Sequence, residues 1–219
     1  MRLFDDTPTP EIDDCRIVEC DAADVAQHAI GARLVHTDPP WSYRNTGLSG
    51  NVGDRYGVIT MDQIADHMAA AFAAADQDAY LFLWSTWPHL AAWFAASAAM
   101  PWRYVTGGSW HKNDRLGIGF HVRGDTEPWL LYVKGKPRPV SALSNGFASA
   151  RTEHSEKPIP FLRSVIRAMT EPGDLVLDVY AGLGPCGVAA RAEGRRYVGV
   201  EIDAERAAKA RANVAWRQT

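Results

Sequence analysis

Two short stretches of the chain carry residues whose types and order could do chemistry. In "HTDPPWSYRN", His36 to Asn45, the residues Asp38, Pro39, Pro40 and Trp41 directly follow the apolar run "ARLV". Consecutive prolines cannot donate to a backbone ladder, so they end a strand and fix the backbone beside the acid. A plain turn more usually recruits Gly or Asn. In "LVLDVYAGLGPCGVAARAEGRRYVGVEID", a strand ends at Asp178. The loop Tyr180-Ala181-Gly182-Leu183-Gly184 leads into a helix, and the next strand ends at Glu201. Gly182 and Gly184 allow a ligand close to the backbone with no Cβ in the way. An acid at the position of Glu201 is placed to accept hydrogen bonds from ribose hydroxyls. A dinucleotide site would carry the fuller G-x-G-x-x-G, with a phosphate on the helix N-terminus. Here Pro185 deletes one N–H donor. That favours a nucleoside cofactor without phosphates, such as S-adenosylmethionine. Cys15 and Cys20 have no further ligands beside them, and no metal is expected.

Alternating strands and helices must position these stretches. Strands are predicted at 15–20, 32–38, 79–85, 102–110, 128–135, 175–180 and 196–203. A helix follows Thr60, with Gln63 three residues on in a capping-box pattern. Its Ile64, Met68, Ala71 and Phe72 recur at helical spacing. Further helices are predicted over 88–100, over the stretch from Lys157 towards Gly173, from Pro185, and from Ala204. The pattern predicts a single α/β domain over 15–219, with a mostly parallel seven-stranded sheet and helices on both faces. Residues 1–14 read as an acidic tail. Two stretches, 42–57 and 134–156, read as long irregular loops, which in compact domains usually serve function.

The 219 residues carry a net charge of −3, which argues against a general nucleic-acid coat. The charge is unevenly spread. Residues 1–41 hold three bases against nine acids, and residues 101–167 hold eleven bases against five acids. A basic middle could hold a polyanion. Three cysteines make no disulfide framework, so a reducing cytoplasm is expected. No apolar run approaches the roughly 20 residues of a membrane span.

"DPPW" together with "DVYAGLGPCGVAA" resembles the S-adenosylmethionine-dependent amino-methyltransferases that act on adenine N6. "DPPWSYRN", "LFLWSTWPHL" and "GGSWHKNDRLGIGFHVRGDTEPWLLYVKGKPR" are similar, more closely, to the family named for the 70-kDa subunit of the mRNA adenosine methyltransferase, which has bacterial and phage DNA-modifying members. The resemblance spans about residues 15–205. It implies a Rossmann-like methyltransferase domain with its catalytic half before its cofactor half. It also implies Asp21 near the cofactor's adenine, Ser155 and Lys157 near its methionine part, and Asp178, Gly182, Gly184 and Glu201 beneath methionine and ribose, with Tyr180 and Ala181 in the same loop.

An exocyclic amino group has its lone pair delocalised into the ring. To attack a methyl sulfonium it must be held close to tetrahedral by two acceptors. Asp38 would be one and the backbone carbonyl of Pro39 the other, fixed by the proline pair. Trp41 would offer a flat face to an unstacked base. Tyr43, Tyr56, Trp84 and Trp110 are candidate pocket residues. Lys112, Arg115, Arg123, Lys134, Lys136 and Arg138 are candidate phosphate contacts. Glu127 aligns with an acid of the family and is expected to be buried beside a base. The expected function is methyl transfer to adenine N6 in DNA, by a monomer or a homodimer. The alternatives are the same reaction on RNA, or a non-catalytic nucleic-acid-binding partner of the same fold. Cytosine N4 enzymes share the amino-group chemistry but more often carry Ser where Asp38 stands.

Overall fold

The strands are β1 (Cys15–Glu19), β2 (Ala32–Thr37), β3 (Ala75–Trp84), β4 (Arg103–Lys112), β5 (Thr126–Lys134), β6 (Gly146–Ser149), β7 (Leu175–Asp178) and β8 (Arg196–Glu201). They form one sheet in the order β1-β8-β7-β2-β3-β5-β4-β6. The computed structural model describes residues 14–41, 59–114, 121–150 and 156–215. Every neighbouring pair is parallel except β3–β5 and β5–β4. The sheet thus has one strand more than the sequence predicts. The addition, β6, lies inside the stretch read as an irregular loop and pairs with β4 from Ser109↔Gly146 to Lys112↔Ser149.

The helices are α1 (Met61–Ala74), α2 (Leu90–Ser97), α3 (Ile159–Met169), α4 (Pro185–Ala192) and α5 (Ala204–Ala215). At the start of α1, Thr60 accepts from the Gln63 N–H and Gln63 reaches back to the Thr60 N–H, the predicted capping box. A Trp87–His89 turn of 3-10 helix precedes α2. On one face of the sheet, α3, α4 and α5 bury Phe161, Val165, Cys186, Ala189 and Val214 against Leu34, Phe82 and Val176. On the other, α1, α2 and the 3-10 turn Ala22–Gln27 bury Ile64, Met68, Trp93 and Val25 against Val35, Leu81 and Leu177. Strands covered on both faces read as continuous apolar runs, as "AYLFLW" does.

The strand order turns back on itself between β2 and β7. From β2 the chain proceeds outward through β3, and from β7 it proceeds the other way through β8. Such a switch point opens a crevice outside the carboxyl ends of the two strands, where ligands of open α/β sheets bind. His36 pairs with Asp178 across it. The proline pair and the glycine loop, far apart in sequence, therefore leave adjacent strands at one edge.

Candidate active site

Asp38 follows the last residue of β2, and its Oδ2 accepts from Lys157 Nζ at 2.6 Å. Lys157 also lies 2.7 Å from Glu127 Oε1, and Glu127 Oε2 lies 2.6 Å from Lys112 Nζ. Two acids and two lysines thus alternate in a chain that begins at Asp38. Lys157 is buried, 5.2 Å from the ring centre of Trp84, and Lys112 lies 4.9 Å from that of Trp110. Cations over aromatic faces gain from the ring quadrupole. Burial raises the Asp38 pKa, opposed by Lys157. Burial would raise that of Glu127 too, but Lys157 and Lys112 together hold it below the usual range. Burial works against the charge of Lys157, but Asp38 and Glu127 outweigh it and the ammonium is held more firmly than an ordinary lysine's. One carboxylate oxygen of Asp38 is thus anchored by Lys157.

The glycine loop is closed on itself. The Ala181 N–H donates to the Val200 carbonyl, Gly184 to the Ala181 carbonyl, and Gly182 to Glu201 Oε2 at 2.9 Å. Pro185 begins α4 with no N–H at all. A pyrophosphate needs several free amides pointing at it. This loop has already used three, so the seat fits a nucleoside without phosphates. Glu201 also accepts from the Asp203 N–H at 3.0 Å. It therefore braces the loop, and its remaining lone pairs suit hydroxyl donors. Gly182 and Gly184 have φ of +58° and +83°, a region costly for residues with a side chain. A Cβ on Gly184 would stand 3.0 Å from Val214 Cγ2, so this glycine answers to helix packing as well as to any ligand.

Asp178 was expected beneath the cofactor, and the structure gives it partners in the core. It is 1% exposed and lies 3.0 Å from His36 Nδ1, and its Oδ2 accepts from the Tyr197 hydroxyl at 3.2 Å. The Trp84 indole N–H donates to His36 Nε2 at 3.1 Å, so the imidazole proton sits on Nδ1 and points at Asp178. His36, Asp178 and Cys186 come close enough to hold a metal ion. Both imidazole nitrogens are already committed, however, and the cluster works as a hydrogen-bonded knot between β2 and β7.

The aromatic candidates are mostly core. Trp41 is 5% exposed, stacked on His89 at 5.3 Å and edge-on to Trp93 at 6.0 Å, so its flat face is covered in this structure. Among the described residues its buried indole N–H has no partner. Trp84 and Trp110 pack edge-to-face, and the Trp110 N–H bonds Ser149. An apolar strand announces that its aromatics are buried but not which of them borders a crevice. Tyr43, Tyr56, Arg115 and Ser155 lie outside the described residues.

The basic candidates divide by sheet edge. Because β5 is antiparallel to β3, Trp129 faces Trp84 at the Asp38 edge, while Lys134 faces Ala79 near the opposite one. Lys134 Nζ donates to the carbonyls of Phe72 and Ala75 and caps α1. The Lys136 N–H bonds Asp78, and the Arg138 carbonyl accepts from Arg33. These three do not border the switch point. Lys112 ends β4 on the Asp38 edge, two strands beyond β3, and Glu127 holds it. Arg123 is exposed in the segment between β4 and β5, on the Asp38 side.

Sequence reasoning gave His67 no role. The structure puts its Nδ1 2.6 Å from the Tyr180 hydroxyl and its Nε2 3.5 Å from Asp21 Oδ1. Asp21 also accepts from the Ala23 N–H, capping the turn after β1. The strand ends carrying Asp21, Glu201 and Tyr180 lie along one edge, on β1, β8 and β7.

Known structures share this fold. M1.HpyAVI, solved in complex with SAM, superposes with a TM-score of 0.72 over 92% of this chain and 99% of that one, at 19% identity. The PvuII DNA methyltransferase, specific for cytosine N4, gives 0.72 over 93% and 86% at 15% identity. The fold is that of the class I methyltransferases. Within this class I fold, residues 144–212 match the profile of the N6/N4 DNA methylase family. In sequence, the chain is 40% identical over 77 residues to the protein named "Putative methylase YubD" of Escherichia coli (strain K12), covering 33% of this chain and 34% of that protein. It is 43% identical over 51 residues to the DNA adenine methyltransferase YhdJ of the same organism, covering 23% and 17%. The match thus spans about a third or less of these relatives' length. Among the described residues no helix is long and apolar enough to cross a membrane.

Proposed function

We propose that this chain transfers a methyl group from S-adenosylmethionine to the N6 amino group of adenine in DNA. The observation that carries the reading is the meeting of Asp38 with the self-closed glycine loop on adjacent strands of the switch point. The loop's spent amides and Pro185 suit a cofactor lacking phosphates, and Glu201 suits its ribose hydroxyls. When bound, S-adenosylmethionine supplies an electrophilic methyl on a sulfonium. Lys157 fixes Asp38 Oδ2, which leaves Oδ1 to accept one amino proton. The Pro39 carbonyl accepts the other and keeps the nitrogen lone pair out of conjugation with the ring. Gripped between two acceptors, the amine is a competent nucleophile, and positioning supplies much of the acceleration. An acid before the proline pair favours adenine N6 over cytosine N4. The "DPPW" context supports membership of the family named for the 70-kDa mRNA methyltransferase subunit. Exposed Arg123 on the Asp38 side is the candidate phosphate contact.

The test is incubation with methyl-labelled cofactor and DNA or RNA oligonucleotides, followed by digestion to nucleosides. N6-methyladenine from DNA is the expected product. N4-methylcytosine, product from RNA alone, or no labelled nucleoside would each replace the reading.

A further inference from the structure

We propose that His67 is a positioning residue for the cofactor seat, tying the Tyr180 hydroxyl of the glycine loop to Asp21 at the end of β1. The inference rests on the cofactor reading above. His67 projects from α1, and its ring lies 5.8 Å from that of Tyr180, tilted by 47°. Asp21 accepts and cannot donate when ionised, so the imidazole proton belongs on Nε2, the nitrogen facing it 3.5 Å away. Nδ1 then has a lone pair, and the Tyr180 hydroxyl 2.6 Å away donates into it. Burial favours this neutral form, against the pull of Asp21 and Asp66. The consequence falls on the tyrosine oxygen. With its proton committed to His67, it has only lone pairs to offer, and it serves the seat as an acceptor for a ligand N–H or O–H.

Asp21 and Tyr180 stand on separate strands with β8 between them. Among the described residues the His67 imidazole is the side chain that meets both. Their spacing is therefore set from α1, and the capping box that fixes the start of α1 also fixes the height of His67 two turns later.

Calorimetric titration with S-adenosylhomocysteine tests this, using the parent, His67→Ala, His67→Asn, Tyr180→Phe and the double variant His67→Ala/Tyr180→Phe. Thermal melting confirms that each is folded. His67→Ala and Tyr180→Phe should each weaken binding about 5- to 20-fold, and the double variant should be no weaker than the worse single. His67→Asn, whose amide oxygen can stand near the place of Nδ1, should recover most of the affinity. In turnover assays the loss should appear in KM for the cofactor, with kcat changed less than about twofold. Additive losses, equal behaviour of Asn and Ala, or undiminished affinity in Tyr180→Phe would overturn the proposal. If His67→Ala fails to fold, Tyr180→Phe and His67→Asn still decide it. A parent that does not bind S-adenosylhomocysteine would instead remove the cofactor reading beneath it.

Discussion

Lys157 Nζ lies 2.6 Å from Asp38 Oδ2 although 119 residues separate the two in sequence. The acid assigned to the amino group is therefore held from the cofactor half of the chain. One oxygen is fixed by a buried ammonium, itself fixed by Glu127. Rigid support of this kind keeps a catalytic group close to its working geometry.

Asp38→Ala should reduce methyl transfer by roughly 10³-fold or more, since an acceptor present only for the reacting amine is lost. Affinity for S-adenosylhomocysteine should stay within about threefold, because Lys157 retains Glu127. Single-turnover rates and calorimetry check the two halves. Substantial turnover in this variant would mean that another group holds the amine.

Glu127→Gln should lower stability by about 3 kcal/mol, the scale for breaking a buried ion pair. That corresponds to roughly 6–12 °C in Tm for a chain of this size. The pH dependence follows from the sign of the shift. Glu127 is held below its ordinary range when folded and returns to about 4.3 when unfolded. Its contribution is complete above that value and is lost as pH falls through the folded one. Lys157 acts at the other limit: its contribution is complete below about 10.4 and is lost as pH rises through its raised folded value. Urea denaturation of the parent from pH 7 to pH 3 should show the acid loss, and Glu127→Gln should flatten it.

Asp178→Asn should act on stability rather than on ligand contact. The amide can accept from His36 or from Tyr197, but its NH2 meets a second donor. A loss of about 2 kcal/mol is expected from the unsatisfied buried group. Glu201→Ala should weaken S-adenosylhomocysteine about tenfold and also lower Tm, because the Gly182 and Asp203 N–H groups lose their acceptor. Equal effects of the two on affinity would put Asp178 back in the seat.

Lys134→Ala should cost about 2 kcal/mol by exposing the last carbonyls of α1, a cation's favoured site on a helix. It should leave the salt slope of DNA binding unchanged. Arg123→Ala should lower that slope by about one unit while leaving stability alone. Binding curves at several salt concentrations separate them. A reduced slope in Lys134→Ala would return the 134–138 segment to the interface.

The sequence made most of the architecture legible, for physical reasons. Runs such as "AYLFLW" and the Thr60–Gln63 box are local signals, and both appear where they were expected. The strand β6 is short, begins with glycine, lies in a run rich in Ser and Pro, and gains its strand character only from β4. The partners of the charged residues were less legible. Lys134 was read as a phosphate contact because charge is visible in a sequence, whereas the end of α1 beside it is not. Asp178 ends a strand as a ligand acid would, and only the pairing with His36 shows that it faces the core. Glu127 was expected beside a base, and it has two. His67 gave no signal, since Asp21 and Tyr180 lie 46 and 113 residues away.

The self-closed glycine loop also bears on how quickly its seat can fill and empty. Its amides are paired before any ligand arrives, so entry requires no loop to fold and little chain entropy to be lost. Exit likewise breaks contacts with the ligand and not the loop's own bonds. Spent cofactor can then leave for fresh cofactor without the sheet edge opening. Exchange at this seat is therefore governed by the ligand's own hydrogen bonds, and turnover need not wait on a conformational step there.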